Sequence, residues 1–486
     1  MSDTSKLAEW RDKNLNSISK SFCAAKWYNV SLHLGHGFTN SCHLPLPHPI
    51  NKDVLKERPQ ELHNTDFKKR QRKMMLEGKR PAECSYCWKV EDIGRNNIAD
   101  RVYKSQIYDE KDIKALENLP WDADINPKTI EVSFDRTCNF ACSYCNAGYS
   151  TTWAKDIQSY GAYQNFKSVS AGAYQNDGSW ADKYGKYNET NPYVQAFFDW
   201  WPELIESGLE EIRVTGGEPC ASHNFWNFLD VMKGHPSDKL RLAVNSNLGG
   251  NFKRIQKLID ATYELPIREM DLYTSNESYG AHAEYIRDGL IYEEWRRNLV
   301  AFLDGVNKDI FRSLTIMMTI NSLCLFSITE FLDDMIELKK KYGMNRPNVD
   351  FNILRWPAFM SPLALPDDVK MFLHNKLKTW FENKKEDGTM DELFSIGEKA
   401  QIERLIDYIE VVKTGHVTTE GENDTHFHDF KSFYEQYDKR RGKDFKKTFP
   451  ELAVWYNQIE VDTTIPKVEV SDGAITHYED GEYNSN

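Results

Sequence analysis

The chain has 486 residues, enough for two or three domains with an ample core. A formal net charge of −13 argues against a role coating nucleic acid, though it leaves room for a local basic site. No apolar run reaches the ~18 residues that suggest a membrane span, and residues 1–20 are polar with no secretory apolar segment, so a soluble cytoplasmic protein is expected.

In chain order, Met1–Lys20 reads as a solvated lead-in containing a helix. Cys23 follows in Phe22-Cys23-Ala24-Ala25-Lys26-Trp27. Apolar residues then alternate through Tyr28–Leu34, the period of a half-buried strand. Gly35-His36-Gly37 makes a turn, and a second short strand leads to Cys42, so a hairpin brings Cys23 and Cys42 near each other. Prolines in Leu44–Pro49 forbid regular structure. A helix is expected over Phe67–Glu77, ended by Gly78 and followed by Cys84 and Cys87. The chain has nine cysteines, an odd number, and C-x2-C spacing occurs twice; without a secretion signal this points to metal ligands rather than disulfides. Cys23, Cys42, Cys84 and Cys87 suffice for one complete site, either a four-iron cluster or a structural zinc. His33, His36 and His43 read as ordinary polar residues. Residues 111–127 read as a charged connection interrupted by Pro120.

From Ile130 onward, strands alternate with helices. Strands are expected at Ile130–Phe134, Glu211–Thr215, Leu240–Asn245, Glu269–Thr274, Leu314–Ile320 and Val349–Leu354. Helices are expected at Tyr193–Glu206, Phe225–Met232, Phe252–Ile259, Ile291–Leu303 and Ile328–Tyr342. Such β-α repeats predict a parallel sheet with right-handed crossovers. The stretch from Cys145 to Gly216 is too long for one helix and one strand, and the excess, 149–191, rich in Tyr, Gly, Ser and Asn, reads equally as a binding lid or as a disordered loop, its aromatics arguing against pure disorder. After Pro362 helices are expected at Asp367–Asn383 and Ile396–Thr414, and Val468–Asn486 reads as an acidic mobile tail.

Two motifs carry chemistry. Thr137-Cys138-Asn139-Phe140-Ala141-Cys142-Ser143-Tyr144-Cys145 places Cys138, Cys142 and Cys145 at C-x3-C-x2-C after the first β-α strand. Three thiolates on a four-iron cube leave one iron open to a small molecule; the same triplet with a fourth ligand also suits zinc. Gly216-Gly217-Glu218-Pro219 closes the second strand, with glycines that let a ligand approach the backbone and a carboxylate that accepts from an ammonium group. Cys220, Cys324, Met317 and Met318 read as buried packing residues.

The triplet followed by GGE-P resembles the radical S-adenosylmethionine (SAM) superfamily. The four N-terminal cysteines, with Trp27, Trp88, Glu91, Gly94 and Arg101, resemble the auxiliary-cluster (twitch or SPASM) region of some of its members, here placed before the barrel. The resemblance implies an α/β fold: a partial (β/α)6 barrel over 126–360 carrying the 149–191 insertion, a four-cysteine metal domain over 1–125 and a mostly helical region over 361–486. It implies a [4Fe-4S] cluster on Cys138, Cys142 and Cys145. It puts SAM against Tyr144, Gly216, Gly217, Glu218 and Pro219, with Asn245, Ser275 and Arg287 as further contacts, solvation on a helix surface being the equal alternative for Arg287. A second [4Fe-4S] cluster, or zinc, sits on Cys23, Cys42, Cys84 and Cys87. The implied reaction is reductive cleavage of SAM to a 5′-deoxyadenosyl radical that abstracts hydrogen from a peptide, protein or small molecule, with an electron donor such as flavodoxin or ferredoxin. Nucleotide or RNA modification by the same chemistry is the alternative, and a non-catalytic metal-binding protein keeping the fold is another. No general acid or base is assigned.

Overall fold

The computed structural model describes residues 3–94, 96–181, 183–184, 190–410, 422–473 and 481–483. The strands, in chain order, are β1 (Asn29–His33), β2 (Phe38–Asn40), β3 (His48–Pro49), β4 (Thr129–Ser133), β5 (Ala141–Cys142), β6 (Glu211–Thr215), β7 (Ser237–Ser246), β8 (Ile267–Ser275), β9 (Arg287–Asp288), β10 (Phe311–Ile320) and β11 (Asn348–Ile353). Among the described residues one nine-stranded sheet runs β11-β10-β8-β7-β6-β4-β1-β2-β3, and β5 pairs with β9 in a separate two-stranded ladder. All six strands expected from Ile130 onward form, pairing in parallel and in chain order from β4 to β11. Side-chain amides and hydroxyls restart the chain as helix after the strand ends. Asn191 caps Pro192–Glu206, Ser222 caps His223–Lys233 and Asn251 caps Phe252–Ala261.

The expected hairpin forms, with Ser31 opposite Asn40 and His33 opposite Phe38. It also does something local periodicity does not predict. β1 pairs in parallel with β4, Val30 beside Ile130 and Leu32 beside Val132, so the sheet extends beyond the expected six strands. Val30, Leu32 and Leu34 share the main core, whereas Phe22, Trp27, Met75, Cys87, Trp88 and Val102 belong to a second core around the N-terminal cysteines.

The sheet has two unlike faces. Ile130, Val132, Ile212, Val214, Leu272 and Thr274 are buried, and Trp295 of the helix Tyr292–Gly305 donates to Thr274. On the opposite face Glu131, Arg213, Asn245, Tyr273 and Thr315 are half-buried and polar. Arg213 lies over the Tyr273 ring at 4.5 Å and donates to its hydroxyl at 3.4 Å.

The free edge of β11 is closed by a helix, not a strand. Glu398 accepts from Val349 N at 2.9 Å, Gln401 from Phe351 N at 2.6 Å, and Arg404 donates to Phe351 O at 2.9 Å, all from the helix Ile396–Glu410. Side chains at helical spacing thus satisfy the edge groups that another strand would use. That helix is described as far as Glu410; the rest of the expected span to Thr414 lies outside the described residues.

The insertion contains the helix Thr151–Tyr160 and a short 3-10 segment, Val169–Tyr174. The described residues of the expected tail, Val468–Asn486, pair with earlier parts of the chain. Val468 N donates to Gln164, Asp177 N to Ser471 O, Tyr483 N to Arg80 O and Ala82 N to Gly481 O. Paired backbone groups and aromatic contacts, including Trp180 close to Gly473, hold these stretches down. Residues 474–480 and 484–486 lie outside the described residues. No described helix is long and apolar enough to cross a membrane.

Candidate functional site

β4 and β6 are neighbours, so the loops leaving their C-terminal ends lie side by side. The cysteine triplet leaves β4 and GGE-P leaves β6. The two loops are locked together by backbone. Glu218 N donates to Thr137 O at 2.6 Å. A Cβ on Gly217 would stand 2.3 Å from Thr137 O and 2.6 Å from Arg136 O. Gly216 has φ +122°, and its Cβ would stand 2.8 Å from Asp135 O. Both glycines thus admit the backbone of the neighbouring loop, a close approach that the motif alone does not name. Asp135 adds a clamp, accepting from Thr137 N at 3.0 Å, Ser222 Oγ at 2.5 Å and Asn224 Nδ2 at 3.3 Å.

The cysteine loop is fixed on three further sides. Cys142 sits in β5, opposite Arg287 of β9. Phe140 fills a slot between Gly249 and Gly289, where a Cβ would stand 2.0 and 2.8 Å from its ring. Ser150 and Thr152 donate to Phe140 O and Cys138 O, and Trp153 donates to Cys142 O at 2.9 Å. The helix Glu422–Arg441, which carries no motif, closes the outside. Its Tyr437 hydroxyl donates to Tyr285 O at 3.1 Å, and its Arg441 pairs with Asp288 of β9 at 3.3 Å.

Cys138, Cys142 and Cys145 are free thiols on this rigid loop. Phe140 N donates to Cys138 Sγ at 3.4 Å and Arg287 to Cys142 Sγ at 3.8 Å. Burial pushes Cys138 up to about 12 and Cys142 up to about 11, Arg287 acting in the opposite sense on Cys142. Cys145 is raised by burial and by the charges of Cys142 and Cys138. Among the described residues no three His, Cys, Asp or Glu side chains converge as a metal-ligand group. The donor set still suits a thiolate-bound metal. Three soft donors share one loop, with a backbone N–H and a guanidinium directed at two of the sulfurs.

Glu218 is buried. Its carboxylate accepts from Cys220 N at 2.9 Å, Ser246 Oγ at 2.8 Å and Asn247 N at 2.5 Å. Burial raises its pKa, and the three donors oppose that rise. Its neighbour Pro219 is buried too. Arg287 is not solvated on a helix surface, one of the two expectations for it. It is buried against Glu277, with Nε 2.9 Å and Nη2 2.5 Å from Oε2. Glu277 also accepts from the Tyr144 hydroxyl at 3.0 Å, tying Tyr144, Arg287 and Cys142 into one cluster. Sequence reasoning missed Glu277. The one signal available was that a buried Arg requires a nearby carboxylate. Asn245 stands on the polar sheet face with a buried Oδ1 that has no partner among the described residues, and Ser275 ends β8 on the same face. Cys220, Cys324 and Met318 are buried as expected, while Met317 is half-buried.

Cys23, Cys42, Cys84 and Cys87 line one cavity of about 30 Å³. Each stands on separately braced chain. Asn40 holds Cys42 O at 2.9 Å, and Cys84 and Cys87 bracket the start of the helix Ser85–Asp92. Arg101 binds Glu91 with both Nε and Nη2, at 2.7 and 3.0 Å, and donates to Phe22 O at 2.6 Å. The Glu91, Trp88 and Arg101 of the resemblance therefore brace the pocket, with Arg101 over the Trp88 ring at 5.7 Å. Burial pushes Cys42 up to about 11 and Cys87 up to about 12, with Cys23 adding to both. Lys26 is fully buried. Burial pulls it down, but Cys84, Glu83 and Cys42 outweigh that and raise it. None of the three nearby histidines lines the cavity. His33 and His36 stack at 5.6 Å, and His43 pairs with Asp100 at 3.2 Å.

The raised thiols carry a pH consequence for the metal-free chain. A thiol whose folded pKa exceeds its unfolded value of about 8.5 stabilises the fold below that pH. This stability is lost as pH rises through the folded values of about 11 for Cys142 and about 12 for Cys138. Thermal melts of metal-free protein are expected to fall steadily from about pH 8 upward, and metal loading to blunt the fall because bound thiolates no longer titrate. Melts independent of pH in that window would contradict the burial of these thiols.

No protein-family model matches the chain. No curated protein matches it. Two solved structures of SuiB from Streptococcus suis are similar in part. One is SuiB bound to S-adenosylmethionine, at 12% identity and TM-score 0.35, with 64% of this chain and 61% of that one covered. The other is SuiB alone, at 12% identity and TM-score 0.34, with 68% and 63% covered. The chain spans about three fifths of the length of these structures, and likeness this slight carries no functional inference.

Proposed function

We propose that the protein reductively cleaves SAM at a [4Fe-4S] cluster held by Cys138, Cys142 and Cys145, and uses the product to modify a peptide, protein or small molecule. The observation that carries this reading is the interlock of the cysteine loop with the Gly216–Pro219 loop at adjacent ends of parallel strands. When bound, the cluster and SAM supply one-electron bond-cleavage chemistry. The protein's own part is to hold and enclose. Arg287 places a cation beside Cys142 and is itself oriented by Glu277. Glu218 fixes the Ser246–Asn247 turn beside the loop, and its one remaining acceptor site, on Oε2, suits an ammonium donor. The polar sheet face bearing Glu131, Arg213, Asn245 and Tyr273 suits a polar substrate.

In the same reading the four N-terminal thiols hold a second four-iron cluster, with zinc as the alternative, within a metal domain over 1–125. Residues 126–360 form the partial barrel, and an electron donor of the flavodoxin or ferredoxin kind serves it. The test is anaerobic reconstitution followed by iron and sulfide counting and assay of SAM cleavage under dithionite. About eight irons and 5′-deoxyadenosine formation are expected. Protein that binds no iron, or binds it without cleaving SAM, would reject the proposal.

A further inference from the structure

Ser41 is 3% exposed and lines the four-cysteine cavity. Its hydroxyl is buried and has no hydrogen-bond partner among the described residues. Of the other polar side chains on that wall, Lys26 pairs with Glu83, Arg101 with Glu91 and Asp100 with His43, and Lys104 adds a cation near Cys42. A buried hydroxyl without an acceptor costs stability, and such a group commonly marks a place where something else binds. The hydroxyl hydrogen rotates freely and can turn to whatever fills the cavity. The acceptors that a thiolate-held centre brings there are sulfurs.

We infer that the centre on Cys23, Cys42, Cys84 and Cys87 is a one-electron redox centre, and that the Ser41 hydroxyl donates to one of its sulfurs and sets its reduction potential. This rests on the four-iron reading above. Reduction adds one electron from an external low-potential donor, dithionite in vitro, and breaks no bond. The added negative charge spreads onto the sulfurs, so a donor aimed at them stabilises the reduced state more than the oxidised one and raises the potential. A zinc centre keeps a single charge state, and the same donor would have no potential to set.

The test uses the full chain carrying Cys138→Ala, Cys142→Ala and Cys145→Ala, so that a single centre titrates. Potentiometry is followed by electron paramagnetic resonance, with and without Ser41→Ala. Ser41→Ala is expected to keep about four irons. At the parent's midpoint its reduced-to-oxidised ratio should fall about tenfold, a shift of ~59 mV for a one-electron couple. Ser41→Thr, which keeps the hydroxyl, should keep the parent midpoint. If the triple variant does not fold, the same comparison is made in the otherwise wild-type chain, with SAM added to shift the signal of the other cluster. Iron bound with an unchanged midpoint in Ser41→Ala overturns the role of Ser41 and leaves the four-iron reading standing. Zinc in place of iron, or no metal at all, overturns both.

Discussion

Cys142→Ala is expected to abolish reductive SAM cleavage while leaving the chain folded and holding about four irons. The position is the most constrained of the three. Its backbone pairs with Arg287 in β5–β9, its carbonyl accepts from Trp153, and its sulfur faces the guanidinium. Those backbone contacts survive the change to alanine, so the fold is retained and the loss falls on metal binding. Removing a small buried thiol costs about the transfer energy of a small apolar group, roughly 1–2 kcal/mol. Circular dichroism and a melt separate that modest effect from the loss of chemistry. Wild-type rates of 5′-deoxyadenosine formation in Cys142→Ala would sink the assignment of this loop.

Gly217→Ala should be nearly as damaging, although it removes no ligand. The added methyl would meet Thr137 O and Arg136 O, both backbone atoms of the cysteine loop, at 2.3 and 2.6 Å. A flexible side chain could swing away; a backbone held by Asp135, Ser222 and the Glu218 amide cannot do so cheaply. Overpacking of this kind typically costs about 1–3 kcal/mol, and rigid neighbours push it to the upper end. The displaced loop is expected to lose its iron, roughly half of the total, along with SAM cleavage, while the N-terminal site stays loaded. Iron counting after reconstitution decides the matter. Full iron and full activity would mean that the interlock of the two loops has no bearing on the cluster.

Much of the architecture was legible because it is written in local periodicity. β6 and the helix Ile328–Tyr342 occupy the residues their patterns indicated, and the other five strands from β4 onward differ only at their ends. The cysteine triplet is likewise local: three thiols within eight residues share a loop whatever surrounds them. The spacing and the hairpin pointed to Cys23, Cys42, Cys84 and Cys87 as one group, and all four line a single cavity.

Tertiary structure alone decided the partners. Alternation along Asn29–His33 states that one side is buried, but not that β4, a hundred residues on, supplies the neighbouring edge. The glycines of Gly216-Gly217 announce a close approach without naming what approaches, and it is the cysteine loop's own backbone. Arg287 and Glu277 belong to a buried ion pair that has no periodic signature, since a lone charge in sequence looks the same paired or solvated. Ile396–Glu410 reads only as a generic helix and no helix was read over Glu422–Arg441, yet the first caps the edge of β11 and the second encloses the cysteine loop. A sequence pattern encodes how much of each residue leaves water; which surface it meets is set by contacts between distant segments, and those are chosen only when the chain closes on itself.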